Sequence, residues 1–189
     1  LASGFHHAHA DHGEGFCTFN GLVVALEALR IGRALVIDCD LHFGNGTATL
    51  LEPRTGWYQV SIYGNGYWAN TAYRDATAFV PPRTFDRTSC VPVAPGTSGD
   101  AYVEIVRQNV RAAITHARPD VILYQAGADP YKEDPYSPLD VDLADLAARD
   151  RFVFEAARDA RIPIAWVLAG GYTRDVTKVF AGSYAMQGA

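Results

Sequence analysis

Two carboxylates and an imidazole stand at alternate positions in Asp38-Cys39-Asp40-Leu41-His42. In extended backbone alternate side chains share a face, so Asp38, Asp40 and His42 point one way while Ile37, Cys39 and Leu41 point the other. Oxygen and nitrogen donors on one side suit a divalent metal, although an Asp at a strand end is often only a cap or turn residue. Asp129, in the turn Gly127-Ala128-Asp129, is by itself more often a turn former than a ligand. Beyond the end of an adjacent strand it becomes a third ligand. One imidazole and two carboxylates then leave a coordination position open, the arrangement of a catalytic zinc and one that Fe(II) also accepts.

A second constellation is His6-His7-Ala8-His9-Ala10-Asp11-His12. Adjacent histidines beside a metal can divide the work of general base and general acid, which amide hydrolysis needs because water and the leaving amine both require proton transfer. His6 and His7 are read that way, each needing an orienting partner. His9 and His12 are read as a solvated surface or an adventitious metal binder.

The elements that must position these residues alternate along the chain. Residues 19–29 are helical in composition, 34–38 form a short apolar run expected to be a buried strand, and 44–51 open another helix. Residues 57–62 are strand-like, and the stretches at 63–66 and 81–84 are expected to be long surface loops. Asp100 is the expected N-cap of a helix whose apolar positions Tyr102, Ile105, Val106, Val110, Ala113 and Ile114 recur at helical spacing, with Pro119 beyond its end. A strand at 121–124, a helix at 142–160, a strand at 164–168 and a helix from Asp175 complete the pattern. Such alternation implies right-handed crossovers and an α/β fold in three layers, with a mostly parallel sheet between helices. Ligands in such sheets sit beyond the carboxyl ends of the strands, where the loops carrying Asp38 to His42, Asp129 and Gly170-Gly171-Tyr172 all fall.

Composition bounds the rest. A chain of 189 residues, 49% apolar and 20% charged, is expected to form one compact domain over 1–189. A net charge of −5 argues against direct nucleic-acid binding. Cys17, Cys39 and Cys90 lie far apart without a CxxC pair, so neither a disulfide framework nor a zinc knuckle is expected and a reducing, cytoplasmic compartment is inferred. The longest apolar stretch, 162–171, is too short to span a bilayer, so no membrane is expected as a partner. Self-association into a homo-oligomer is left open.

The sequence resembles the histone deacetylase family, which includes acetylpolyamine and acetoin-utilisation proteins and shares its fold with arginases. The resemblance is carried by Gly4-Phe5-His6-His7-Ala8, by residues 13–20, by Asp38 through Gly46, by Gln125-Ala126-Gly127-Ala128-Asp129 and by Gly170-Gly171-Tyr172, in the family's order and over nearly the whole chain. It implies Asp40, His42 and Asp129 as zinc ligands, His6 and His7 as the catalytic pair, Asp38 as the partner of His6, and Asn45 as the partner of His7. It implies that Tyr172 donates a hydrogen bond to the oxyanion. Gly15 and Phe16 would wall a substrate tunnel opposite Tyr67 or Trp68, with Gly170 also lining the substrate site. A monovalent cation, potassium, would use Asp38, Ser61 and the backbone carbonyls of Asp40, His42 and Ile62. The implied reaction is hydrolysis of an acetylated lysine or acetylpolyamine to acetate and free amine.

The chain departs from the family in two respects. Phe43 replaces the His that frequently follows the ligand histidine. The family's domain also normally begins well upstream of the double histidine, so an N-terminally truncated deacetylase-like chain is expected, with a sheet edge exposed. Two rivals remain at this point. One is a catalytically silent acyl-amine binding module or inactive fragment. The other is an arginase-like ureohydrolase, which would need a second metal and an Asp where Gly44 stands.

Overall fold

The computed structural model describes residues 3–66, 77, 79, 81 and 84–185. Its strands are β1 (Ala34–Asp38), β2 (Trp57–Tyr63), β3 (Thr88–Pro92), β4 (Val121–Ala126) and β5 (Ile164–Leu168), side by side in the order β3-β2-β1-β4-β5. Every neighbouring pair is parallel. The register sets Asp38 level with Ser61 on one side and Gln125 on the other. Hence the loops after β1 and β4 leave the sheet at the same height.

Strand β1 is buried along its whole length, as a central parallel strand covered on both faces must be. Its side chains divide between two cores. Leu35 and Ile37 pack with Tyr102, Val106 and Val110 of α3 (Gly99–Ala117) and with Leu146 and Val153 of α4 (Leu143–Asp159). Ala34 and Val36 pack with Leu22 and Leu26 of α1 (Gly21–Ala28) and Leu51 of α2 (Asn45–Leu51). A last helix, α5 (Val176–Ala185), contacts α4. Helices therefore cover both faces of the sheet, and each fully buried Leu, Ile or Val contributes on the order of 1.5–3 kcal/mol relative to exposure.

Local sequence explains where the helices start and stop. The Asn20 side chain accepts from Val23 N–H at the start of α1. Asp142 and Asp145 form a reciprocal capping box at the start of α4. The N-cap of α3 is Ser98 rather than Asp100, which falls in the first turn and there faces the positive end of the helix dipole. That helix ends on Arg118 in the left-handed region, with Pro119 next.

Residues 63–66 are not a surface loop. They are buried, because Gly64 and Asn65 donate their N–H groups to Leu41 O and Asn65 O accepts from Phe43 N–H, extending β2 alongside the segment after β1. Strand β5 has no residue in the fully buried class, unlike β1. Among the described residues no helix is long and apolar enough to cross a membrane, and Cys17, Cys39 and Cys90 are free thiols.

Candidate active site and metal centre

Beyond the end of β1 the chain turns so that backbone N–H groups bond backwards onto its own carboxylates. Asp38 Oδ1 accepts from Asp40 N–H at 3.1 Å, and Asp40 Oδ1 accepts from His42 N–H at 2.9 Å. From the loop after β4, Asp129 Oδ1 accepts from Leu41 N–H at 2.8 Å. From the loop after β5, Gly170 N–H donates to Asp40 Oδ2 at 2.7 Å. Three segments far apart in sequence are thus tied together through two carboxylates.

The result places His42 Nδ1 3.2 Å from Asp40 Oδ1 and 3.1 Å from Asp129 Oδ2. Asp40, His42 and Asp129 are all buried, with one donor atom of each within 4.8 Å of the others. For ligands about 2.0–2.1 Å from a tetrahedral ion, donor separations near 3.3 Å follow from geometry. Close packing fixes the cradle. A Cβ on Gly170 would come within 2.0 Å of Asp129 Oδ2, and one on Gly127 within 2.5 Å of Asp40 Cα. The donor set therefore fits a divalent ion.

Electrostatics agree with a site built around positive charge. Burial raises Asp129, and neighbouring Asp40 raises it further, to about 7. Asp40 is itself held far below the usual carboxylate range, because the charges on His6 and His42 outweigh burial. Burial works against a charged His42, but its bonds to Asp129 and Asp40 prevail and lift it to about 10. Two carboxylates this close in a dry site need a cation between them.

The double histidine lies against this cluster. His6 Nδ1 is 2.7 Å from Asp38 Oδ2, and His7 Nδ1 is 2.6 Å from Asn45 Oδ1. Their rings are 4.1 Å apart, and the His7 ring is 6.0 Å from that of His42. Burial depresses His6, but Asp38 and Asp40 more than compensate and raise it to about 9. His7 is lowered well below 6.5, first by burial and then by the neighbouring His6 charge. The hydrogen bond to Asn45 opposes that shift, so the low value does not come from the neutral partner. Gly15 lies so close to His7 that a Cβ there would sit 2.4 Å from His7 Cδ2, and its φ of +52° suits glycine.

These groups open onto a cavity of about 220 Å³ lined by His6, His7, Asp40, Gly170, Phe16 and Tyr172, among others. Phe16 is 87% exposed and Tyr172 40% exposed at its mouth. Trp68 and Tyr67 lie outside the described residues. Ser61 is buried level with Asp38 and accepts from Gly44 N–H at 3.2 Å. At Gly44 a Cβ would meet Asp38 Oδ2 at 2.2 Å, so the site has no room for the additional carboxylate a ureohydrolase needs there.

Comparison with known proteins bears on this arrangement. The histone deacetylase domain family matches residues 1–186. The chain belongs to the histone deacetylase family. It is 31% identical to histone deacetylase 2 of Arabidopsis thaliana over 97% of its own length and 46% of that protein's. It is 30% identical to a histone deacetylase-like amidohydrolase of Pseudomonas aeruginosa over 89% of the chain and 45% of the relative. The crystal structure of acetylpolyamine aminohydrolase from Burkholderia pseudomallei superposes with a TM-score of 0.80 at 26% identity, covering 97% of this chain and 54% of that one. This family member thus spans about half the length of the curated relatives it matches.

The structure also brings to the site residues that the motifs did not mark. Asp134 Oδ2 accepts from Tyr172 N–H at 2.7 Å, and Tyr136 packs edge-on to Tyr172 with ring centres 5.0 Å apart. Behind the loops after β1 and β4 the fully buried Arg149 donates from Nη1 to Gly127 O at 2.7 Å and to Cys39 O at 3.3 Å, and from Nε to Asp150 at 2.8 Å. The Tyr124 hydroxyl donates to the same Asp150. A signal for Arg149 existed, because Leu146, Arg149, Asp150, Val153 and Ala157 recur at the spacing of one helical face, and that face is buried.

Proposed function

We propose that this histone deacetylase family chain carries the metal centre of a zinc-dependent deacetylase, hydrolysing the amide of an acetylated lysine or acetylpolyamine to acetate and free amine. Asp40, His42 and Asp129 would hold the ion. The observation that carries the reading is the buried Asp-His-Asp cluster with a neutral histidine set against it. Such an ion supplies Lewis acidity toward a carbonyl oxygen and toward water.

The chain's own groups divide the remaining work. Asn45 Nδ2 donates to Glu14, so its Oδ1 is the acceptor for His7 Nδ1–H and the His7 lone pair stands on Nε2. His7, neutral because of burial, takes a proton from the attacking water at Nε2 and then returns it to the leaving amine nitrogen. His6, held protonated by Asp38 and Asp40, supplies fixed positive charge beside the reacting carbonyl. The Tyr172 phenol, kept protonated by burial and by nearby Asp40 and Asp129, donates a hydrogen bond to the oxygen that becomes negative. Phe16 at the mouth packs against the methylene stem of the substrate. Potassium at Asp38 and Ser61, with Asp38 orienting His6, completes the proposal.

The test is acetate release from a panel of acetyl-lysine peptides and acetylpolyamines, with the zinc-loaded chain and a chelator-treated control. Metal-dependent release is expected; a folded, zinc-loaded chain that releases none refutes the reading for the chain alone.

A further inference from the structure

His9, His12 and Glu14 form a second group whose donor atoms lie within 4.8 Å of one another, and none of the three belongs to the Asp40, His42 and Asp129 cluster. Thr49 Oγ1 gives its proton to Gly46 O, so at 2.8 Å from His9 it acts as acceptor and Nδ1 of His9 is the protonated nitrogen. The other ring nitrogen, Nε2, faces Glu14 Oε1 at 3.2 Å. That distance is long for an imidazolium-carboxylate hydrogen bond, for which about 2.7–2.9 Å is usual. It is close to the roughly 3.3 Å expected of two ligands sharing a tetrahedral ion.

The surroundings are those of ligands held in place. His9 and Glu14 side chains are only 10% and 7% exposed. His12 Nδ1 is 2.7 Å from Asp11 Oδ1, which leaves its Nε2 for coordination, and a backbone bond from His9 N–H to His12 O closes the turn between them. Ring nitrogens braced by an oxygen on the far side are a recurring feature of metal-bound histidines. The two rings are stacked at 4.5 Å and nearly parallel, so His12 must tilt to aim at a shared ion, which its 55% exposure permits.

We propose that His9 Nε2, His12 Nε2 and the Glu14 carboxylate form a second site for a divalent transition ion such as zinc, with water completing the coordination. Glu14 also accepts from Asn45, whose Oδ1 holds His7. The second ion therefore shares a carboxylate with the chain of hydrogen bonds that orients His7. The inference stands apart from the proposed hydrolysis, because it concerns metal binding alone.

Titration of the metal-stripped full chain with zinc alone, by calorimetry and equilibrium dialysis, tests it. The wild-type chain should bind two equivalents and Asp129→Ala should retain the peripheral one. His12→Ala, at an exposed position that leaves the fold intact, should weaken that equivalent by about tenfold or more without touching the other. His9→Gln should do the same. In Asp129→Ala, zinc should shift the imidazole proton signals of His9 and His12. No equivalent in Asp129→Ala, or unchanged binding in His12→Ala, overturns the proposal; one equivalent that Asp129→Ala retains and His12→Ala weakens supports it even if the wild type binds no second ion.

Discussion

At the floor of the pocket Asp40 accepts N–H bonds from His42 and Gly170, and Arg149 braces the loops after β1 and β4 from behind. At its mouth Phe16 stands 87% exposed at a φ of +62°, in a turn closed by a bond from Cys17 N–H to Glu14 O. The floor is assembled from segments up to 130 residues apart and has nowhere to relax. The mouth is made by short local turns and can adjust. The buried cluster and the rim are thereby held by different bonds, since altering Phe16 disturbs none of those that fix the carboxylates.

That contrast can be broken most severely at the floor. Asp129→Ala should abolish zinc binding at the Asp40 and His42 cluster and reduce acetate release to background; full occupancy there by elemental analysis and dialysis would remove Asp129 from the ligand set. Arg149→Met should cost about 3–5 kcal/mol of stability in urea unfolding, because the buried Asp150 loses its cationic partner and keeps only neutral donors such as the Tyr124 hydroxyl. A loss under 1 kcal/mol would show that the bracing is dispensable. Tyr172→Phe should keep zinc and melting temperature while lowering kcat by roughly a hundred- to a thousandfold. Equal turnover would assign Tyr172 to the mouth alone. The mildest effect belongs to Phe16→Ala, expected to raise KM by about tenfold with kcat nearly unchanged, as loss of apolar contact at a rim should. A fall in kcat comparable to that of Tyr172→Phe would mean that mouth and floor are not independent.

The same division explains what could be read from the sequence. Strand β1 and the segment after it were legible because alternation along one short stretch reports directly on facing, and Leu41 and Cys39 do lie in the core opposite the carboxylates. Helices α3 and α4 announced themselves by apolar spacing and by caps, with Ser98 displacing Asp100 by two positions. Strand β3 was missed: its five residues end in Pro92, sit at a sheet edge and show no alternation in burial. Residues 63–66 look like a loop because Gly and Asn favour turns, yet tertiary pairing with Leu41 and Phe43 buries them. Phe43, a departure from the family pattern, fills an apolar pocket with Tyr63, Phe79 and Phe85. Asp134 was invisible to motif reading, since its bond to Tyr172 spans 38 positions, whereas Arg149 showed only as a member of the buried face of α4.

Arg149 has a consequence for how the molecule breathes. Its guanidinium bonds carbonyls on the loops after β1 and β4 while lying on α4, so neither loop can open without stripping a buried donor of an acceptor. The amides of Leu41 and Ala128 should therefore exchange with solvent deuterium only in the event that releases the middle of α4, and all three should share one opening free energy. An ion held by Asp40, His42 and Asp129 would slow that exchange across α4 as well as at the loops, extending protection to a helix that contributes none of those three ligands.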